Sequence, residues 1–339
     1  MAAAPRTLGA LSSPCLGDNP SMAAAPPPSR SLRLATADGW SLHLACHEPA
    51  ERPRAALLLA PGMMLDGRAM DRPPGGGLAS YFRRRGYAVY TLDLRGHGES
   101  RPRAARGVDW SFDELVAVDI PLAMAAVKAR HPGLPLVWMG HSLSAHAGAA
   151  AVGQRPALPV DLLVLLCPGA WVRGLEPSWP LWQAKRAVIF LWDRATAACG
   201  RFPAARLGIG TNDEALSYVR QHREWARTGR WWNREGTADY LAGLAAIRRP
   251  TLVVAAAGDW LCRPRSVALL AAAMTPPAPG AGAAPPRGMV ELWRVTGRDL
   301  GRRRHPGYLD VLTDPPSGKL WQGIDDWIRR QLKDGGQTG

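Results

Sequence analysis

A serine, an aspartate and a histidine stand where their side chains could together cleave the bond between a carbonyl carbon and its leaving group. Ser142 lies in Gly140-His141-Ser142-Leu143-Ser144, directly after the apolar run Leu136-Val137-Trp138-Met139. A serine hydroxyl attacks a carbonyl only when it is held clear of the backbone and beside a general base. A tight turn from strand into helix achieves this, provided that very small residues two positions to either side let the helix cross close to neighbouring strands. Gly140 meets that need, and Ser144 stands at the second position in place of glycine. The same pentapeptide also suits a strand followed by a glycine turn that merely contains a serine, so its surroundings must decide. The other two residues are Asp259, which follows the apolar run Thr251–Ala256 in Gly258-Asp259, and His305, which follows Val290–Val295.

The elements that would position these groups alternate. Leu32–Ala37 and Ser41–Cys46 alternate apolar and polar residues around Asp38-Gly39, a hairpin signal. Ala55–Ala60, Tyr87–Leu92, Leu136–Met139, Leu162–Leu166, Thr251–Ala256 and Val290–Val295 read as buried strands. Helices are expected over 78–85, from the capping box Ser111-Phe112-Asp113-Glu114 to about Arg130 with a kink at Pro121, after Ser142, and over 266–274. A terminal helix carries the stripe Leu320, Trp321, Ile324, Trp327, Ile328 and Leu332, with Asp325–Arg329 and Asp326–Arg330 expected on its wet face. The alternation stops over residues 168–248, which hold Trp171, Trp179, Trp182, Trp192, Trp225, Trp231 and Trp232. This insertion reads either as a helical subdomain with an aromatic core or as a lid, with Trp179, Trp182 and Trp192 lining a substrate pocket. The organisation is therefore a disordered tail over 1–30, a core over 31–167, the insertion over 168–248 and the rest of the core over 249–335. Met22, followed by a partial echo of the opening residues, reads as a second candidate start, and residues 275–288 as a surface loop.

Composition narrows the function classes. The net charge is +14, but 38 of the 42 basic residues are arginines scattered along the chain. No arginine-rich helix interleaved with stacking aromatics is present, which argues against nucleic acid as a partner. No apolar run approaches the ~20 residues of a membrane span. Five widely spaced cysteines without a C-x-x-C pair suit reduced thiols, and the prolines of the first thirty residues interrupt any secretory signal, so a cytoplasmic location is expected. Neither a metal nor another cofactor is expected.

From about residue 31 to 335 the chain resembles an α/β-hydrolase. The likeness is carried by ALLLAPGMM, YAVYTLDLRGHGES, MGHSLS, LVVAAAGDWLCRP and RRRHPGYLDVL. It implies an α/β fold with a mostly parallel eight-stranded sheet, helices on both faces and a helical cap insertion. In that fold the triad runs in the chain order serine, acid, histidine, which Ser142, Asp259 and His305 satisfy. Of the eight histidines only His222 and His305 lie beyond the helix after the serine, and His222 sits in the charged run Arg220-Gln221-His222-Arg223-Glu224, which reads as a solvated helix face. Asp310 is a second choice for the acid. The resemblance places the oxyanion donors at the backbone N–H groups of Met63 and Leu143, with Pro61-Gly62 where His-Gly is usual. The turn Asp93–Ser100 reads as architectural. Phe202-Pro203 and Leu207-Gly208-Ile209-Gly210 further resemble a subgroup of predicted hydrolases.

The expected activity is that of a metal-independent serine hydrolase that cleaves small-molecule carboxylic esters with hydrophobic acyl chains through an acyl-enzyme. An acyltransferase on the same fold, or a catalytically silent hydrolase-fold protein that only binds its ligand, is the alternative. Oligomeric state is not readable.

Overall fold

The apolar runs become strands because both faces of the sheet are covered. The computed structural model describes residues 30–275, 289–313 and 318–335. The expected tail lies outside these residues except for Arg30, and so do Met22 and all but Thr275 of the expected loop 275–288. In chain order the strands are β1 (Arg30–Ala35), β2 (Ser41–His47), β3 (Ala56–Ala60), β4 (Ala88–Asp93), β5 (Leu136–His141), β6 (Leu162–Leu166), β7 (Arg201–Phe202), β8 (Glu214–Ala215), β9 (Thr251–Ala256) and β10 (Val290–Val295). Eight of them form one sheet in the order β1-β2-β4-β3-β5-β6-β9-β10. Within it only the pairs made by β2 are antiparallel; the others are parallel. Every residue of β3, β4, β5, β6 and β9 is buried, the pattern expected of parallel strands with helices on both faces.

The helices are α1 (Leu78–Arg84), α2 (Phe112–Glu114), α3 (Ile120–Arg130), α4 (Leu143–Gln154), α5 (Trp179–Cys199), α6 (Leu216–Thr228), α7 (Tyr240–Gly243), α8 (Pro264–Ala273) and α9 (Lys319–Gly335). The capping box forms, with the Ser111 N–H donating to Glu114 at 2.6 Å. A wide π turn, Leu115–Asp119, joins α2 to α3, so Pro121 falls in the first turn of α3, where its missing N–H costs nothing. The turn after β4 is anchored by a buried Arg95, whose guanidinium donates to Asp119 at 2.5 and 2.8 Å and to Asp38 of the hairpin turn at 2.7 Å. No described helix is long and apolar enough to cross a membrane.

Between β6 and β9 the chain forms α5, the small β7–β8 pair, α6 and α7. Its aromatics do not make one separate core. Phe202, Tyr218, Trp225, Trp231 and Tyr240 join the core of the sheet, through rings such as Phe112, which meets Trp225 edge-on at 5.1 Å. A small second cluster gathers Trp182, Ile189 and Ala226, with Trp171 against it.

The terminal helix departs from its expected pattern. Asp325 is fully buried and accepts hydrogen bonds from the Tyr87 hydroxyl at 2.7 Å and from Arg329 at 3.0 Å, with Arg85 at 3.4 Å. The spacing to Arg329 is as expected, but the pair docks α9 onto the core instead of standing in water. Asp325→Ala should strand Tyr87 and Arg329 and lower the unfolding free energy by about 3 kcal/mol in a urea titration. A loss too small to resolve would show that the network is solvated in solution.

Candidate active site

Ser142 sits between β5 and α4 with φ 50° and ψ −111°. Non-glycine residues avoid such angles, and strain of this kind persists only where the surroundings over-determine it. Here they do. The Ser142 N–H donates to the Leu166 carbonyl at 2.9 Å, and its own carbonyl accepts from Ala145 and His146 in the first turn of α4. A Cβ on Gly140 would overlap the Ser144 carbonyl, so glycine is obligatory at that position. Ser144 needs no such space: its hydroxyl donates to the Pro61 carbonyl at 2.5 Å, fastening α4 to the loop after β3.

That loop faces the serine. A Cβ on Gly62 would stand 3.2 Å from the Ser142 Cβ, so only glycine lets the two segments approach this closely. The Leu143 N–H heads the twelve-residue α4, where the first-turn donors have no intrahelical acceptor and the helix dipole favours negative charge. Among the described residues the Met63 N–H has no acceptor either. Both donors therefore remain available for a developing oxyanion.

Asp259, in the turn after β9, is buried. Its Oδ1 accepts the N–H groups of Leu261 and Cys262 at 2.8 and 2.9 Å, while Oδ2 is buried without a partner. Burial pushes this carboxyl above the ordinary aspartate value. The backbone of the His305 segment runs alongside: the Gly258 N–H donates to the Pro306 carbonyl at 2.9 Å, and a Cβ on Gly258 would stand 3.3 Å from the His305 Cβ. The His305 ring itself is exposed, and its Nδ1 accepts the Gly297 N–H at 3.0 Å. Ser142 and Asp259 thus share one edge of the sheet, while the ring of His305, the expected third member, hydrogen-bonds to neither of them. Instead, the Tyr308 hydroxyl and the Cys262 thiol face the Ser142 hydroxyl. Burial raises the Tyr308 phenol, the Cys262 thiol and the neighbouring Cys167 thiol, so all three stay protonated near neutral pH. Asp310 accepts the Gly307 N–H at 2.7 Å and braces its own turn.

Sequence reasoning missed how the insertion grips the loop carrying Met63. Met64 has φ 63°, and both of its backbone polar groups are held from the insertion. Its N–H donates to Glu214 at 2.7 Å, and its carbonyl accepts from the N–H groups of Thr211 and Asn212 at 2.8 and 3.0 Å. The Glu214 carboxylate also meets His97 Nε2 at 3.1 Å, while His97 Nδ1 donates to the Arg95 carbonyl at 2.7 Å. Acceptors at both nitrogens favour the protonated ring. Burial opposes that charge, but the charge and hydrogen bond of Glu214 outweigh it and raise the ring above its ordinary value. The motif Gly96-His97-Gly98 was visible in the sequence; its partner, more than a hundred residues on, carried no signal.

The expected pocket tryptophans are dispersed. Trp179 is 62% exposed on the outward side of α5, which removes it from any enclosed pocket. Trp182 is buried in the small cluster, and Trp192 packs against Phe202, Tyr218 and His222. His222, expected on a wet helix face, is buried in this aromatic group, and burial lowers it to about 4. The charged run around it concealed an inward-facing position. Among the described residues no group of three His, Cys, Asp or Glu side chains could hold a metal ion.

The sequence profile described as serine aminopeptidase, S33, matches residues 51–277. The chain belongs to this family of hydrolases. No curated protein matches the hydrolase in sequence. Among solved structures it is similar to a thermophilic esterase from Thermogutta terrifontis, with 16% identity, a TM-score of 0.57 and coverage of 89% of this chain and 99% of that one. It is also similar to an esterase from Pyrococcus furiosus, with 14% identity, a TM-score of 0.55 and coverage of 89% and 90%. A third is a carboxylesterase structure from Nitrososphaera gargenis, with 12% identity, a TM-score of 0.57 and coverage of 89% and 100%. At these identities the likeness is one of fold.

The grip on Met64 has a pH signature. A histidine raised by folding contributes its full stabilisation below its unfolded value of about 6.5 and loses it as pH rises through the folded value. The difference in melting temperature between the native hydrolase and Glu214→Gln should therefore shrink as pH rises above neutrality. Glu214→Gln should also lower kcat/KM about tenfold, as expected when a charged partner of a buried hydrogen bond is lost. A pH-independent difference in melting temperature would show that His97 is uncharged.

Proposed function

We propose that the hydrolase cleaves carboxylic esters with hydrophobic acyl groups through an acyl-enzyme on Ser142, with the insertion over 168–248 as its cap. The observation that carries this reading is the strained Ser142 backbone at the head of α4, between two unoccupied backbone donors. In the proposed reaction the Ser142 oxygen attacks the ester carbonyl while His305 takes its proton. The N–H groups of Met63 and Leu143 hold the oxyanion, and collapse expels the alcohol, which receives the proton from His305. Water then repeats the sequence on the acyl-enzyme. His305 must first leave Gly297, because its Nδ1 accepts there and a base for Ser142 needs Nδ1–H directed at the acid. The unpartnered Oδ2 of Asp259 is the acceptor that this ring would meet.

Two features favour esters over peptides with a free amino terminus. The groups that face the serine, the Tyr308 hydroxyl and the Cys262 thiol, are uncharged. The buried carboxylates of the insertion are already paired, Glu176 with Lys185 at 2.9 Å, Asp193 with Arg223 at 2.6 Å and Glu214 with His97. None of the three is left to anchor an ammonium group. The second reading, a hydrolase-fold protein that binds without turnover, draws on one observation: Tyr308, not His305, faces Ser142. Labelling with a fluorophosphonate separates the two, since only an activated serine reacts.

Ser142→Ala and His305→Ala should each lower kcat by about 10⁴-fold, because triad members act as one unit. Tyr308→Phe should leave kcat within a few-fold of the native value. A collapse in Tyr308→Phe with an active His305→Ala would reassign the base. Across a series of p-nitrophenyl esters, each added acyl methylene should contribute up to ~0.8 kcal/mol until the pocket fills. Preference for aminoacyl p-nitroanilides over every ester would overturn the ester assignment.

A further inference from the structure

Helix α5 is apolar on both sides. Its inner side packs through Trp182, Ile189 and Thr196, and its outer side presents Trp179, Val188 and Leu191, between 53% and 66% exposed, among alanines. A surface helix normally turns polar residues outward, and an apolar outer side marks a contact surface. The neighbouring segments repeat the pattern. Leu207 and Ile209, after β7, are more than half exposed, and so is Trp260 beside Asp259. These segments border Ser142: Thr211 and Asn212 hold Met64, and Cys262 faces the serine hydroxyl. The start of α5 is tied to the loop after β9, because the Trp171 indole donates to the Leu261 carbonyl at 3.2 Å and Glu176 receives both Lys185 and Ser266.

The charges on this face have one sign. The helix's only acid, Asp193, is buried and paired with Arg223 at 2.6 Å, and Lys185 is buried with Glu176. What remains exposed on α5 is Arg186 and Arg194, while Arg206 accompanies Leu207, and Arg263 comes shortly after Trp260. We propose that this face docks the protein on the surface of a bilayer carrying anionic headgroups, the tryptophans and aliphatic side chains entering the acyl boundary and the arginines meeting the headgroups. Apolar insertion combined with cationic attraction is the physics of interfacial binding. A second copy of the chain is the poorer fit, since self-association through this face would set arginine against arginine in a chain of net charge +14.

The test uses the full chain as Ser142→Ala, so that turnover plays no part and its outcome is independent of the ester reading. Co-sedimentation is measured with phosphatidylcholine vesicles, with and without phosphatidylglycerol. Binding should be at least about tenfold stronger to the anionic vesicles, fall with salt, and shift tryptophan emission to the blue. Val188→Asp with Leu191→Asp, both on solvent-exposed positions, should keep the melting temperature and lower binding about tenfold or more. Failure to sediment with anionic vesicles, or sedimentation that the paired substitution leaves unchanged, overturns the proposal. So does a concentration-dependent dimer that the same pair abolishes.

Discussion

A serine backbone forced to a positive φ is the constraint on which the site depends. Ser142 is held there because β5 must pass directly into α4, and that crossing is possible only if the residue two before it has no side chain. This one turn has three consequences. The hydroxyl stands clear of its own helix, the Leu143 N–H points out of the first turn, and the Ser144 hydroxyl reaches Pro61 to draw the second donor loop into place. The strain is local, while the contacts that hold it come from β3, β6 and α4.

The fold was legible where burial is continuous and local. Runs such as Leu57-Leu58-Leu59 and Leu162–Leu166 can only be strands of a sheet covered on both faces, and the structure has them so. The Ser111 capping box and the turn at Gly140 were equally readable, because the interacting groups lie within four residues of each other. Legibility failed where polar residues pair across the chain. Asp325 with Arg329 scans as a wet helical pair, yet Tyr87 and Arg85, far earlier in the sequence, draw the carboxylate inside. His222 lay among charges in the sequence, but alternate sides of α6 face solvent and the aromatic interior.

The candidate site shows the same division. Ser142, Asp259 and the N–H groups of Met63 and Leu143 sit at the carboxyl ends of strands, where chain order and the resemblance to α/β-hydrolases locate them. The histidine's orientation depends instead on which acceptors and donors the loop after β10 finds. In this conformation Gly297 takes His305, and Tyr308 occupies the space over Gly62, 2.9 Å from where a Cβ would be. No spacing rule encodes that competition, because the outcome turns on hydrogen bonds formed within a single irregular segment.

The attachment at Met64 also limits how the insertion can move. Glu214, Thr211 and Asn212 hold that residue by its amide and its carbonyl, so swinging the whole insertion outward as one rigid piece would dismantle the donor loop beneath it. The insertion is also packed as one piece: α5 is fastened to α6 by the cluster of Trp182, Ile189 and Ala226 and by the Asp193–Arg223 pair, and α6 to the sheet's core through Trp225. Any rearrangement that leaves the Met64 attachment intact is therefore confined to side chains and loop segments, and cannot be a swing of the insertion as a body.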